Sequence, residues 1–132
     1  MTTITRISIS DWRDNPRQKR HEKYQNVRCE HDGMKFDSKA ELKRWLELQV
    51  MLRAKLIAKL ERQVPYQLIP ATKRPSGGAE RACSYIADFR YFDVERKCVV
   101  VEDVKGAVTP EFRIKRKLML HVHGIEVREV KA

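Results

Sequence analysis

Hydrophobic and polar residues change their spacing several times along the chain, and each change marks a predicted element of secondary structure. Residues 27–30 and 34–36 alternate between apolar and polar side chains. Asp32 and Gly33 separate these two runs, and an Asp-Gly pair between alternating runs is typical of a two-residue β-hairpin turn. The pattern therefore predicts an N-terminal hairpin.

The spacing becomes helical directly after this hairpin. Ser38 and Glu41 stand three residues apart, as in a capping box at the start of a helix. Apolar residues then recur at helical intervals, which predicts an amphipathic helix over residues 39–54. These apolar residues are Leu42, Trp45, Leu46, Leu52 and Leu56. The basic residues of this helix, read most simply as a solvated face, are Lys39, Lys43, Arg44 and Arg53.

Strand-like and turn-like segments follow one another in the second half of the chain. Residues 60–69 are predicted to be extended, and Pro65 places them at a sheet edge or interrupts them. Residues 71–80 are rich in Gly, Pro and Ser, which predicts a loop. Residues 81–92 and 97–105 are rich in β-branched and aromatic side chains and predict an antiparallel hairpin.

The end of the chain predicts one more helix and one more strand. Thr109 and Pro110 provide an N-cap and a first-turn proline for a helix that runs to about Val122, where Gly124 can close it. Residues 125–130 form the last predicted strand. The order helix, three strands, helix, strand predicts an α/β fold in which helices cover a sheet.

Length and composition exclude several classes of protein. A chain of 132 residues with 42% apolar and 35% charged residues is expected to fold as one globular domain rather than remain disordered. No apolar run approaches the roughly 18 residues of a membrane span, and the N-terminus lacks the pattern of a signal peptide. The three cysteines form no CxxC motif, so we expect a reducing cytoplasm and no zinc or disulfide scaffold.

Charge adds a class of partner to this picture. Twenty-eight Lys and Arg residues against 18 Asp and Glu residues give a formal net charge of +10. Such an excess favours a polyanion, most often nucleic acid, and a merely well-solvated surface is the alternative. Residues 1–22 are predicted to be a basic arm before a domain of residues 23–132. The arm is either a loose tail or a segment that follows phosphates.

Candidate chemistry lies at the end of the most apolar predicted strand. Because side chains alternate along a strand, Asp103 and Lys105 share one face and Glu102 lies on the other. Taken alone, Asp103 and Lys105 are explained by an ordinary surface ion pair. Asp88, however, interrupts the neighbouring strand, and pairing of the two strands would place it beside Asp103.

Two adjacent carboxylates repel one another unless a cation or a proton lies between them. Mg²⁺, which uses one or two carboxylates together with water and substrate phosphate, would resolve this conflict. Glu41 is a candidate third acid from the neighbouring helix, although a role as capping partner of Ser38 competes with this one. Acids and Lys105 around a metal predict phosphodiester hydrolysis, because the metal activates water and the ammonium stabilises charge on the phosphate.

These residues resemble a known group of enzymes. Glu41, Asp88 and Asp103-Val104-Lys105, in this order on a helix and two strands, look like the PD-(D/E)XK nuclease superfamily. Within it, the chain is similar to small bacteriophage-encoded junction-resolving enzymes of the endonuclease I type, over residues 32–41, 85–89 and 101–106. The resemblance implies a mixed central sheet flanked by helices and an endonuclease dependent on Mg²⁺ or Mn²⁺. The implied metal ligands are Asp88, Asp103, the Val104 carbonyl and Glu41, and Lys105 is the implied base-like catalytic group.

The sequence departs from the superfamily pattern at two positions. Ala87 stands where the superfamily name has Pro, a substitution that many members share. Asp103 replaces the commoner Glu, and its shorter side chain would seat the metal closer to the strand.

Further residues are candidate DNA contacts. Cations of the second predicted helix lie beside and opposite its apolar stripe, where they could follow the substrate backbone, and a solvated face is again the alternative. These cations are Arg113, Lys115, Arg116 and Lys117, with Arg74 and Gln63 as weaker candidates.

The residues predict a metal-dependent DNA endonuclease. The resemblance implies that it acts in the bacterial host cytoplasm, with branched or otherwise structured DNA in phage recombination as a candidate substrate. A homodimer is a candidate assembly. A non-catalytic nucleic-acid-binding module on the same scaffold is the first alternative, because it needs only the cations. The second is an assembly factor that docks a larger recombination or packaging complex through the basic arm.

Overall fold

The computed structural model describes residues 28–132, so the predicted basic arm of residues 1–22 lies outside the described residues. The chain divides into two compact units between Lys39 and Ala40. In the first, strands β1 (Cys29–His31) and β2 (Met34–Phe36) form an antiparallel hairpin. Asp32 and Gly33 have φ values of 50° and 76°, as a tight hairpin turn with two left-handed residues requires. The predicted hairpin is confirmed.

Helix α1 (Lys39–Arg53) ends one residue before the predicted boundary. Its buried residues, Glu41, Trp45 and Leu48, follow the helical spacing of an apolar stripe. Trp45 stacks on Phe89 of the sheet with ring centroids 6.0 Å apart and ring planes inclined by 18°. The buried face of α1 therefore carries one acid, Glu41, among its apolar residues.

Strand β3 (Ile57–Ile69) is longer than predicted and lies at one end of a four-stranded sheet. The edge position accommodates Pro65, which cannot donate a backbone hydrogen bond to a neighbouring strand. The strand is irregular: its pairing register shifts between Ala58 and Glu61. Lys59 and Gln63 have φ values of 54° and 50°, in the left-handed region.

The prediction of a loop over residues 71–80 is wrong in part. Strands β4 (Thr72–Lys73) and β5 (Ala79–Glu80) pair as a short antiparallel hairpin within this segment. The glycines at the turn, Gly77 and Gly78, have φ values of 101° and 79°, which glycine adopts without a steric penalty. The Gly, Pro and Ser residues of this segment therefore form the turn of a short hairpin.

Strands β6 (Cys83–Asp93) and β7 (Cys98–Lys105) form the predicted antiparallel hairpin. In the four-stranded sheet β6 lies between β3 and β7, and β7 pairs in parallel with the last strand, β8 (Arg128–Lys131). The β6–β7 ladder ends at the pair of Phe89 and Glu102. Beyond this pair β7 continues against β8. Asp88 and Asp103, the two predicted acids, are therefore the first residues beyond the end of the β6–β7 pairing.

Helix α2 (Pro110–His123) connects β7 to β8. Thr109 accepts a hydrogen bond from the Phe112 amide at 3.1 Å, and Gly124 closes the helix with a φ of 66°, as predicted. The helix buries Phe112 and Met119 on the sheet. The core cluster is formed by Leu68, Tyr85, Ala87, Val101, Phe112, Met119 and Val127.

Residues 28–132 thus form a mixed α/β structure with a mixed four-stranded sheet and two helices, as the order of predicted elements indicated. Neither helix of this part of the chain is long and apolar enough to cross a membrane.

Candidate active site

Asp88 and Asp103 meet where the β6–β7 ladder ends. They are the residues directly beyond the last pair, Phe89 and Glu102. Their side chains lie close enough for Asp103 to act directly on the carboxyl group of Asp88. The Val104 amide donates to Asp88 Oδ2 at 2.9 Å. The backbone of β7 therefore fixes one oxygen of Asp88 beside the carboxyl group of Asp103.

Burial raises the pKa of Asp88 to about 7. Repulsion by the Asp103 carboxylate is the second cause, and Glu41 adds a smaller repulsion. The hydrogen bond from the Val104 amide acts in the opposite direction, because it stabilises the ionised form. At neutral pH Asp88 is therefore about half protonated, unless a cation replaces the proton.

Asp103 is 3% exposed and has two further polar partners. The Tyr85 hydroxyl donates to its Oδ2, and the Lys105 ammonium lies 3.2 Å from its Oδ1. The same ammonium lies 4.5 Å from the centroid of the Phe112 ring, a favourable contact between a cation and an aromatic face. Burial and the bond to Asp103 raise the pKa of the Tyr85 hydroxyl far above its usual value, so it remains a donor.

Glu41 is buried at 4% exposure, and β3 holds its carboxylate. Gln63 Nε2 donates to Glu41 Oε1 at 3.0 Å, and Arg62 Nη2 lies 4.0 Å from the same oxygen. Glu41 acts on Asp88 through its charge. Within residues 28–132, however, no group of three or more His, Cys, Asp or Glu side chains is arranged to hold a metal ion. The described acids therefore form a pair with Glu41 nearby, and not a closed triad.

The acid pair fits a hard divalent cation by its chemistry. Two largely buried, neighbouring carboxyl groups carry a repulsion that a cation would remove. Mg²⁺ commonly uses one or two carboxylates and keeps several waters. Asp88 and Asp103 would hold such an ion, and Glu41 would add negative charge from α1.

Glu102 has a different environment from its neighbour Asp103. Its fully buried carboxylate accepts two hydrogen bonds from Arg44 of α1, each of 2.8 Å, and a third from the Tyr91 hydroxyl. These contacts raise the pKa of Arg44, while burial raises that of Tyr91 to about 12. The interpretation of Arg44 as part of a solvated face is therefore wrong. Its partner lies 58 positions away in the sequence, so helix periodicity could not reveal it.

The candidate DNA-binding cations of α2 fall into two groups. Lys115 forms an ion pair with Glu111 at 3.1 Å, and Arg116 forms one with Glu129 of β8. Arg113 and Lys117 are exposed and form no ion pair with another described residue. These two cations are the ones with charge available for an external anion.

The two weaker candidates lie elsewhere. Arg74 is exposed in the β4–β5 hairpin, 3.7 Å from Glu80. Gln63 is at the acid site, where its amide is bonded to Glu41. Gln63 therefore lies beside Glu41. Its position in the sequence did not indicate this contact.

Comparison with known proteins gives one match. The family described as Protein of unknown function (DUF1064) matches residues 21–131, which is most of the chain. The chain belongs to this family. No curated protein and no solved structure matches it. The acid pair of this DUF1064 member therefore has to be interpreted from its own geometry.

Sequence reasoning missed two residues of the acid site. Tyr85 precedes Asp88 by three positions and reads as an ordinary buried aromatic of a strand, but its hydroxyl orients Asp103. Arg62 carries no distinguishing signal in the sequence, but it lies near Glu41 and 5.6 Å from the centroid of the Trp45 ring. The signal for Tyr85 in the sequence was its hydroxyl group within an otherwise apolar strand. This signal did not show that Asp103 is the acceptor.

Proposed function

We propose that this DUF1064 member is a metal-dependent DNA endonuclease with a PD-(D/E)XK-like core. The observation that carries the proposal is the pairing of Asp88 and Asp103 at the end of the β6–β7 ladder, with the Lys105 ammonium 3.2 Å from Asp103. Paired acids beside a lysine on adjoining strands are suited to phosphodiester hydrolysis. An ordinary ion pair accounts for Lys105 and Asp103 but leaves the buried contact between the two acids unexplained.

The order of elements supports this core. Helix α1 supplies Glu41, β6 supplies Asp88, and β7 supplies Asp103 and Lys105. Helix α2 then returns the chain to β8, which lies parallel to β7. The resemblance implies a mixed central sheet flanked by helices, with the acids in this order on a helix and two strands.

The residues of the site have separable tasks. A divalent ion held by Asp88 and Asp103 would polarise the scissile phosphate and lower the pKa of a bound water. Tyr85 fixes the orientation of Asp103 by donating to Oδ2. Lys105 is held by Asp103 and by the Phe112 ring, yet about a third of its side chain is exposed. Its ammonium can therefore reach a substrate phosphate and stabilise the charge that grows on it.

The charge of the protein supports DNA as the substrate. A net charge of +10 favours binding to a phosphate backbone by release of counterions. Arg113 and Lys117 are exposed on α2, the helix that follows the strand carrying Asp103 and Lys105. We propose that these two cations contact the backbone of the bound DNA.

Cleavage of DNA tests the proposal. Supercoiled plasmid and a labelled four-way junction are incubated with Mg²⁺ or Mn²⁺ and the parent, Asp88→Ala or Lys105→Ala protein. Lys97→Ala is the matched control, because Lys97 is an exposed lysine of the β6–β7 turn. We expect cleavage by the parent and the control, and a loss of at least about 100-fold in the two site variants. Equal cleavage by all four proteins would assign the activity to a contaminant and refute the proposal.

A non-catalytic DNA-binding module is the second candidate. The observation that favours it is the lack of a closed group of three acids within the described residues, together with the bond between Gln63 and Glu41. This function predicts salt-sensitive DNA binding that EDTA and Asp103→Ala leave unchanged, and no cleavage with any divalent ion. The two candidates therefore differ in the same set of reactions.

A further inference from the structure

Gln63 lies at an irregular point of β3 beside the acid site. It stands between the paired positions Arg62–Phe89 and Val64–Ala87, so it lies across from Asp88. Its φ of 50° is in the left-handed region, which costs a non-glycine residue energy unless the surroundings maintain it. Gln63 therefore departs from the regular strand in the direction of its side chain.

The side chain of Gln63 is directed towards Glu41. Neighbouring residues of a regular strand direct their side chains to opposite faces of the sheet. Arg62 and Gln63 nevertheless both reach Oε1 of Glu41, at 4.0 Å and 3.0 Å. The left-handed backbone at Gln63 redirects its amide towards the buried carboxylate. The left-handed residue Gln63 thus joins β3 to Glu41 of α1 by a hydrogen bond.

We propose that Gln63 is a positioning residue, which holds Glu41 so that its charge acts on the Asp88–Asp103 pair and strengthens the binding of a divalent cation there. This inference rests on the proposed function. The amide donates to Oε1 of Glu41 at 3.0 Å, so it fixes the orientation of the carboxylate. Groups that orient the acids around a metal site typically change metal affinity by about 10- to 100-fold when removed.

A second left-handed residue of the same strand provides the control. Lys59 has a φ of 54° and an exposed side chain. Lys59→Gly and Gln63→Gly each place glycine at a left-handed position, where it fits better than the native residue. Only Gln63→Gly removes an amide from Glu41. Gln63→Asn tests the side chain further, since Asn tolerates the left-handed region but is one methylene shorter.

The experiment measures Mn²⁺ affinity of the full chain by calorimetry and by the Mn²⁺ spin-resonance signal, without DNA. We expect Mn²⁺ to bind Gln63→Gly and Gln63→Asn about tenfold more weakly than the parent. Lys59→Gly is expected to bind Mn²⁺ as the parent does. Thermal melting of each variant without metal identifies any that fails to fold, and Gln63→Asn then carries the test if Gln63→Gly is lost.

Two results would overturn the inference, and they can be told apart. If Asp88→Asn abolishes Mn²⁺ binding but both Gln63 variants bind it like the parent, the positioning role is wrong and the proposed function stands. If the parent itself binds no Mn²⁺, the proposed function and the positioning role are both wrong. A loss of affinity in Lys59→Gly equal to that in Gln63→Gly would assign the effect to the backbone of β3 and also refute the role.

Discussion

Replacing Asp88 with Asn should stabilise the protein at neutral pH while removing a predicted metal ligand. In the parent, burial and the charge of Asp103 raise the pKa of Asp88 from 3.8 to about 7. The folded state therefore binds a proton more tightly than the unfolded state, so the free energy of unfolding falls as the pH rises from about 4 to about 7. Above this range the whole penalty of the ionised carboxylate is present.

The size of the effect follows from the raised pKa. A rise of about 3 in pKa corresponds to about 4 kcal/mol at pH 8. The neutral amide of Asn accepts the hydrogen bond from Val104 less strongly than a carboxylate does, so part of this gain is lost. We expect Asp88→Asn to unfold with about 3 kcal/mol more free energy than the parent at pH 8, and with a difference of less than about 1 kcal/mol at pH 4.

Urea unfolding at pH 4, 6 and 8 in the presence of EDTA measures this difference. Glu95→Gln is the control, because Glu95 is an exposed carboxylate in the β6–β7 turn and its neutralisation should change the stability by less than about 0.5 kcal/mol. A gain for Asp88→Asn that is the same at all three pH values would show that the buried charge is not its cause. The absence of any gain at pH 8 would refute the reasoning about the acid pair.

Two other substitutions test the hydrogen bonds on either side of β7. Tyr85→Phe removes the hydroxyl that donates to the buried carboxylate of Asp103, so we expect the free energy of unfolding at pH 8 to fall by about 1.5–3 kcal/mol in urea titrations; an unchanged midpoint would contradict this. Arg44→Met leaves the fully buried Glu102 without its cation. Calorimetric melting should show a decrease of about 3–5 kcal/mol in the free energy of unfolding. The double variant Arg44→Met with Glu102→Gln should recover part of this stability.

The sequence was most informative at turns and helix ends, where the determining contact is local. The Asp-Gly turn, the Thr109 cap with Pro110, and the glycine that closes α2 each act within a few residues of their own position. Strand alternation also separated Asp103 from Glu102 correctly, because the period of two holds along a regular strand. These local rules predicted the order of elements and the position of Asp88 beside Asp103, but not the hydrogen bond from Tyr85 to Asp103.

The spacing of hydrophobic and polar residues could not predict contacts between distant parts of the chain. The bond between Arg44 and Glu102 joins residues 58 positions apart, and nothing in the helix periodicity distinguishes Arg44 from a solvated cation. The left-handed backbone of Gln63 depends on its partner Glu41 and on the register of β3 against β6. Such irregular positions are fixed by tertiary packing, and functional sites are where local rules are expected to fail.

An anomalous difference map from crystals soaked in Mn²⁺ tests the central claim most directly. We expect a peak between the carboxyl groups of Asp88 and Asp103, where a cation would remove the repulsion between them. The peak should disappear in crystals of Asp88→Asn. A map with no peak at this position, in crystals where the two carboxyl groups still lie side by side, would show that the acid pair does not bind the ion.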